Sequence, residues 1–336
     1  MKKITYWIIT IFVCLATLSI ASILPHDPYL RYKSLTVGHY SKAKWIYERA
    51  VYDDTPIDIA FIGTSHTLNA VDSVKIENNI IKKTGSLKHV VNFAIPHLGR
   101  DMHKLITKLL IEKKLPEVIL IEIRESEGRD QHPATHYLAD GIDLLTAPLL
   151  VNQRYTGNLI RLPLRQSNLF LKTTFPEFFH ADTTFNVNAY KGAHFNFTTH
   201  YPSGKSRDKE HTKFVLDELY AQRSQKHSYK LARDNELMNF INFNANWVNL
   251  RGAVELAKAK GVKVYFTYLP SYNSGSQPID ALIYEEMAPI LYIKNAQTLG
   301  NPKHWYDFGH LNGVGAMAYS EEISALLIEE LSLLKL

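Results

Sequence analysis

The stretch Ile57-Asp58-Ile59-Ala60-Phe61-Ile62-Gly63-Thr64-Ser65-His66 decides the fold class. Its apolar run, closed by glycine and two hydroxyl residues, reads as a strand buried on both faces of a parallel sheet. A serine just beyond the C-terminal end of such a strand stands where open α/β sheets hold their ligands. Far along the chain, Asp307-Phe308-Gly309-His310 sets a carboxylate three residues before an imidazole, beside Trp305-Tyr306 and ahead of a helix. A neutral imidazole there can take a serine proton, and the carboxylate can fix its tautomer.

Between these two segments the pattern alternates. A helix is predicted over residues 67–84, a second strand over 89–95 and a helix over 101–114. The last carries Met102, Leu105, Ile106, Leu109 and Leu110 on one face. Pro116 precedes a third strand at 118–123. Later come a helix over 246–260 closed by Gly261, a fourth strand over 262–269 and a terminal helix over 314–334. Its inward face holds Tyr319, Ile323, Leu326, Leu327 and Leu331. Strand–helix alternation of this kind predicts an α/β fold, a doubly wound parallel sheet of about five strands in an α/β/α sandwich.

These residues and their order resemble the SGNH (GDSL-like) hydrolase superfamily. Asp58 to Ser65 resembles its first block, with Ser65 at the nucleophile position. Asp307-Phe308-Gly309-His310-Leu311-Asn312 resembles its last, with Asp307 and His310 completing a triad. Val90-Val91-Asn92-Phe93-Ala94 and Val118-Ile119-Leu120-Ile121-Glu122-Ile123 resemble the second and third strands. The resemblance covers about residues 58–128 and 262–336. It implies a serine esterase or O-acyltransferase with no cofactor and no metal, its oxyanion held by backbone N–H groups and, in the family, an asparagine side chain.

Two departures stand out. The second-block glycine falls near His97, the nearest glycine being Gly99. The third block ends in Arg124-Glu125-Ser126-Glu127-Gly128, without the asparagine that donates to the oxyanion. Arg124 or Ser126 is the expected substitute; losing one such donor outright costs about 10²–10³ in rate. The alternative for Arg124 is an ion pair with Glu122 or Glu125.

Composition narrows the partners. The 336 residues carry a net charge of +5 with scattered Lys and Arg, and no nucleic-acid-binding module is visible. Cys14 is the single cysteine, which excludes an internal disulfide. His132 and His136 stand four apart, but Pro133 between them argues against a helical metal pair. His66 reads as a pocket or capping residue, and Glu285-Glu286 as a solvated helix face.

Lys2 and Lys3 precede an uncharged run, Ile4 to Leu24, long enough to cross a bilayer core of ~30 Å. It reads as a signal anchor over residues 1–25, exporting the rest; cleavage at Ser19-Ile20-Ala21 is the alternative, giving a secreted protein. Residues 26–56 form an aromatic connector with a short helix over 41–51. Residues 57–336 form the α/β domain, with a large insertion at about 128–235 after strand three. Its aromatic and hydroxyl residues suit a sugar-like ligand or simply give it a small core of its own. Topology and resemblance together imply acyl esters of cell-envelope polysaccharide as substrates. The other readings are a non-catalytic, glycan-binding assembly protein and a lipid-directed esterase.

Overall fold

The computed structural model describes residues 2–35, 40–124, 131–147, 152, 154–201, 203–226, 237, 247–272, 274–278, 280–293 and 296–333. An N-terminal helix α1 (Lys2–Ser22) is followed by α2 (Pro28–Lys33) and α3 (Lys42–Val51). The sheet then begins with β1 (Ile59–Ile62), followed by α4 (Ser65–Ala70), α5 (Ser73–Thr84), β2 (Val90–Asn92), α6 (Arg100–Lys113) and β3 (Val118–Ile123). Next come α7 (Thr135–Leu138), α8 (Gly141–Leu145), α9 (Tyr155–Thr174) and α10 (Lys213–Lys226), none of which adds a strand. The sheet resumes with α11 (Trp247–Lys258), β4 (Lys263–Tyr268), α12 (Ala281–Met287) and β5 (Ile290–Tyr292). The last elements are α13 (Ala296–Gly300) and α14 (Gly313–Leu333).

All five strands run parallel, in the order β2-β1-β3-β4-β5. Side chains alternate across the sheet, so its two faces build two cores. Ala60, Ile62, Ile119, Ile121, Val264 and Phe266 pack with α3, α6 and α11. Ile59, Phe61, Val118, Leu120 and Tyr265 pack with α5 and α14 on the opposite face. Every residue of β1 is fully buried, which is why the strand reads as a continuous apolar run.

Several elements differ from expectation. The helix expected over 67–84 is two, because Asp72 caps a new start by accepting from the Lys75 N–H at 2.9 Å. Within the 26–56 segment α2 precedes the expected helix, and Tyr29, Ala43, Trp45, Ile46 and Tyr47 join the sheet's first core. The stretch 139–150 carries a helical pattern in the sequence; α8 covers part of it, and Pro148 to Leu150 lie outside the described residues.

The α1 helix is long and apolar enough to cross a membrane. It packs along α9 at its C-terminal end, and its apolar side chains are exposed.

Candidate active site

In a 2-1-3-4-5 sheet the crossovers leave β1 in opposite directions, and a crevice opens between the C-terminal ends of β1 and β3. The site is built there. β1 ends at Ile62, the chain turns through Gly63 and Thr64, and Ser65 begins α4. As the first helical residue, Ser65 presents an N–H that the helix itself does not use.

The turn is held by Glu122, one residue before the end of β3 and fully buried. Its carboxylate accepts from the Thr64 N–H at 2.7 Å and the Thr64 hydroxyl at 2.9 Å. It also accepts from the Thr67 N–H at 3.2 Å and the Thr67 hydroxyl at 2.6 Å. A buried carboxylate is tolerated when its lone pairs are met in this way. Gly63 makes the approach possible: a Cβ there would stand 2.5 Å from the Glu122 carboxylate and 2.3 Å from the Thr67 hydroxyl. Asn92 ties down the far end of α4, donating to the Thr67 and Val71 carbonyls.

Across the crevice, Asp307 shapes its own loop. Its Oδ1 accepts from the Gly309 N–H at 2.7 Å and the His310 N–H at 2.9 Å. Both carboxylate oxygens lie 2.9 Å from His310 Nδ1, and His310 Nε2 lies 2.8 Å from Ser65 Oγ. Asp307 therefore fixes the proton on Nδ1, leaving the Nε2 lone pair for the serine hydroxyl. Burial works to raise the Asp307 pKa, but the hydrogen bond and charge of His310, with the two N–H groups, hold it below the usual carboxylate value. Asn312 caps α14 behind the loop, accepting from the Gly315 N–H at 2.9 Å.

Arg207, from the segment between β3 and β4, braces this loop from outside. Fully buried, it donates to the Leu311 carbonyl at 2.6 Å and lies against the Tyr201 and Tyr306 rings.

Ser65, Asp307 and His310 are thus brought together across 245 positions of sequence. Arg124 takes up a different post. Its guanidinium donates to His66 Nδ1 at 2.9 Å and stands 3.7 Å from Glu122, matching the ion-pair alternative for this residue. Because arginine only donates, the His66 proton sits on Nε2. The His66 ring lies 5.0 Å from that of His310, so Arg124 touches the site through His66. Its main chain is clamped as well, the Arg124 carbonyl accepting from Arg100 and Tyr284. Ser126 lies outside the described residues.

His97 and Gly99 occupy the loop between β2 and α6, which starts against the turn that leads into Ser65: the Ile95 N–H donates to the Gly63 carbonyl at 3.0 Å. His97 has a φ of 81°, unusual for a residue with a Cβ and a sign of an over-determined loop. His132 supplies the determination. Its Nε2 donates to the Pro96 carbonyl at 2.8 Å, and its Nδ1 accepts from the Ala134 N–H at 3.1 Å. A Cβ on Gly99 would meet the His132 backbone at 2.5 Å, so the two segments touch there. Desolvation pushes the His132 pKa down to about 4, which keeps the ring neutral and its Nδ1 able to accept from the Ala134 N–H.

Glu122, Arg100 and His132 are the site-building residues that the sequence reading did not single out for this purpose. The available signal was Glu122 itself, one carboxylate in the apolar strand Val118–Ile123. A charge buried there requires donors, and the two threonines flanking Ser65 provide them.

Comparison with known proteins finds no family model and no curated protein that matches this chain.

Proposed function

We propose that this protein is an SGNH-like serine hydrolase or O-acyltransferase, anchored in a membrane by α1 with its α/β domain outside the cytoplasm. The observation that carries the reading is the run of contacts from Asp307 through His310 to Ser65 Oγ, at 2.9 Å and 2.8 Å, at the sheet's switch point. In this reading Ser65 Oγ attacks an ester carbonyl as His310 Nε2 takes its proton. The C–O bond to the alcohol then breaks, His310 returns the proton to the leaving oxygen, and an acyl-Ser65 ester remains. Water or a sugar hydroxyl attacks that ester, with His310 again as base, releasing the acid or a new ester.

The oxyanion would be met by the Ser65 N–H and by a backbone N–H of the 96–99 loop, whose strained His97 supports an assigned task. The segment at 128–235 is read as an insertion beside the site, and Arg207 with Tyr201 as its inner wall. Its aromatic and hydroxyl side chains favour a sugar-bearing substrate, such as acyl esters of envelope polysaccharide.

One observation favours a second reading, a weakly active domain that binds glycan. Arg124, at the position of the missing asparagine donor, is engaged by Glu122 and His66. Labelling the full chain in detergent with a fluorophosphonate tests both. The enzyme reading expects labelling that Ser65→Ala abolishes and release of acetate from acetyl esters, with or without a glycan acceptor. No labelling and no turnover, with glycan still bound, leaves the binding reading.

A further inference from the structure

Arg207 is a fully buried cation, and among the described residues no carboxylate forms an ion pair with it. Its Nε is buried without a hydrogen-bond partner. Burying a charge in this way is costly, and a residue that only filled space would be uncharged. What the guanidinium does hold is therefore informative.

Nη1 donates to Asn69 Oδ1 at 2.5 Å, and Nη2 donates to the Leu311 carbonyl at 2.6 Å. Asn69 lies in α4 four residues after Ser65, on the same face of the helix and one turn along it. Leu311 follows His310 directly. The guanidinium also stands 5.4 Å from the centre of the Tyr306 ring, and the Tyr306 N–H donates to the His310 carbonyl at 2.8 Å. One planar group thus touches the residue before Asp307, the residue after His310 and the helix that Ser65 begins. Its own mounting is firm. The Arg207 N–H donates to the Thr199 carbonyl at 2.8 Å, closing a tight turn in which the Tyr201 N–H donates to the Lys205 carbonyl at 2.9 Å. From that turn the Tyr201 ring lies 4.9 Å from the guanidinium.

We infer that Arg207 is a positioning residue, which sets the approach of His310 to Ser65 by tying α4 to the loop of Asp307 and His310. This rests on the serine-hydrolase reading of the site and adds a part for the segment between β3 and β4. Ser65 and His310 stand 245 positions apart in sequence, and the two arms of the Arg207 fork reach one element each. The fork fixes the spacing of its two donors, which the ammonium of a lysine does not. A catalytic group displaced by about 1 Å loses about 10² in rate.

The test uses the full chain in detergent, as wild type, Arg207→Lys and Asn69→Ala. A fluorophosphonate counts reactive sites, and kcat and KM on an acetyl ester are expressed per labelled site, so that loss of folded protein does not enter. The expected result is a fall in kcat of about 10² in Arg207→Lys, and a smaller fall in Asn69→Ala, with KM little changed in both. Should Arg207→Lys fail to fold, Asn69→Ala decides, because it frees α4 from the fork and leaves Arg207 in place. Variants with wild-type kcat per labelled site, whatever their unfolding midpoints, overturn the positioning role and leave the hydrolase reading standing. A raised KM with kcat unchanged also overturns it, assigning Arg207 to the shape of the binding surface. A wild type that neither labels nor turns over the ester overturns the hydrolase reading, and the positioning role with it.

Discussion

Asp307 serves the loop and the imidazole with the same oxygens, so its charge and its shape separate by substitution. Asn in its place keeps the acceptor for the Gly309 and His310 N–H groups but can turn its amide donor toward His310, favouring the wrong tautomer. Asp307→Asn should fold normally and lose about 10³–10⁴ in kcat, measured on an acetyl ester. Arg124 poses the opposite question, because its contacts are to His66 and Glu122. A group that acts through His66 should cost less than an oxyanion donor. Arg124→Ala should lower kcat about tenfold with KM little changed, against the 10²–10³ expected of a direct donor. A loss near 10³, restored in part by Arg124→Lys, assigns the cation to the oxyanion.

At the scale of elements, the turn between β1 and α4 buries polar groups against Glu122, and the loop between β2 and α6 holds the positive-φ residue His97. Gly63 is required by the closeness of Glu122 and Thr67, not by a left-handed backbone. Gly63→Ala should destabilise the protein by about 1–3 kcal/mol through overpacking, read as a lower midpoint of thermal unfolding. Behind the 96–99 loop, the bond from the Ala134 N–H to His132 Nδ1 requires a neutral imidazole. With its pKa at about 4 in the folded state against the ordinary 6.5, the unfolded chain binds the proton first as the pH falls. Stability is therefore undiminished above about pH 6.5 and drops between there and pH 4, by up to about 3 kcal/mol from this residue. Buried His103, also held well below its ordinary value, adds in the same direction. Unfolding midpoints at pH 7.5 and 5 should differ less in His132→Gln than in the wild type, and an equal difference removes His132 from the account.

For the whole molecule, the strand order brings together groups that no local pattern connects. The direction change between β1 and β3 opens the crevice, and α14 on the second face delivers the preceding loop to it. The segment between β3 and β4 reaches the same edge through Arg207. With Lys2 and Lys3 at the start of α1, a phosphatase reporter fused after Leu336 should be active in intact cells and a β-galactosidase fusion inactive. The reverse pattern moves the domain to the cytoplasm and overturns the proposal of envelope polysaccharide as substrate.

Local patterns were enough to recognise β1, α6, β4 and α14, because each has a period or an apolar run set by the face it buries. Four strands could be placed in this way. β5, with three residues after Ala288-Pro289, is too short to carry a period of its own. The helix α9 does not stand out in the sequence because it carries Pro163 within it and apolar residues on its outer as well as its inner side. Ser65, Asp307 and His310 were legible as residue types at the ends of predicted elements. Their spacing of 2.8 Å and 2.9 Å belongs to the tertiary structure, since it depends on parallel strands crossing over in a particular order. The roles of Glu122 and Arg124 lay further out of reach. A carboxylate in a strand shows in sequence only as an odd letter, and its four donors come from a turn 55 to 58 positions away. The sequence by itself determined which faces are apolar and where elements begin, because those follow from neighbours within one or two turns. Only the tertiary structure decided which polar groups meet, because a hydrogen bond is specified by distance and direction between segments that the chain keeps far apart.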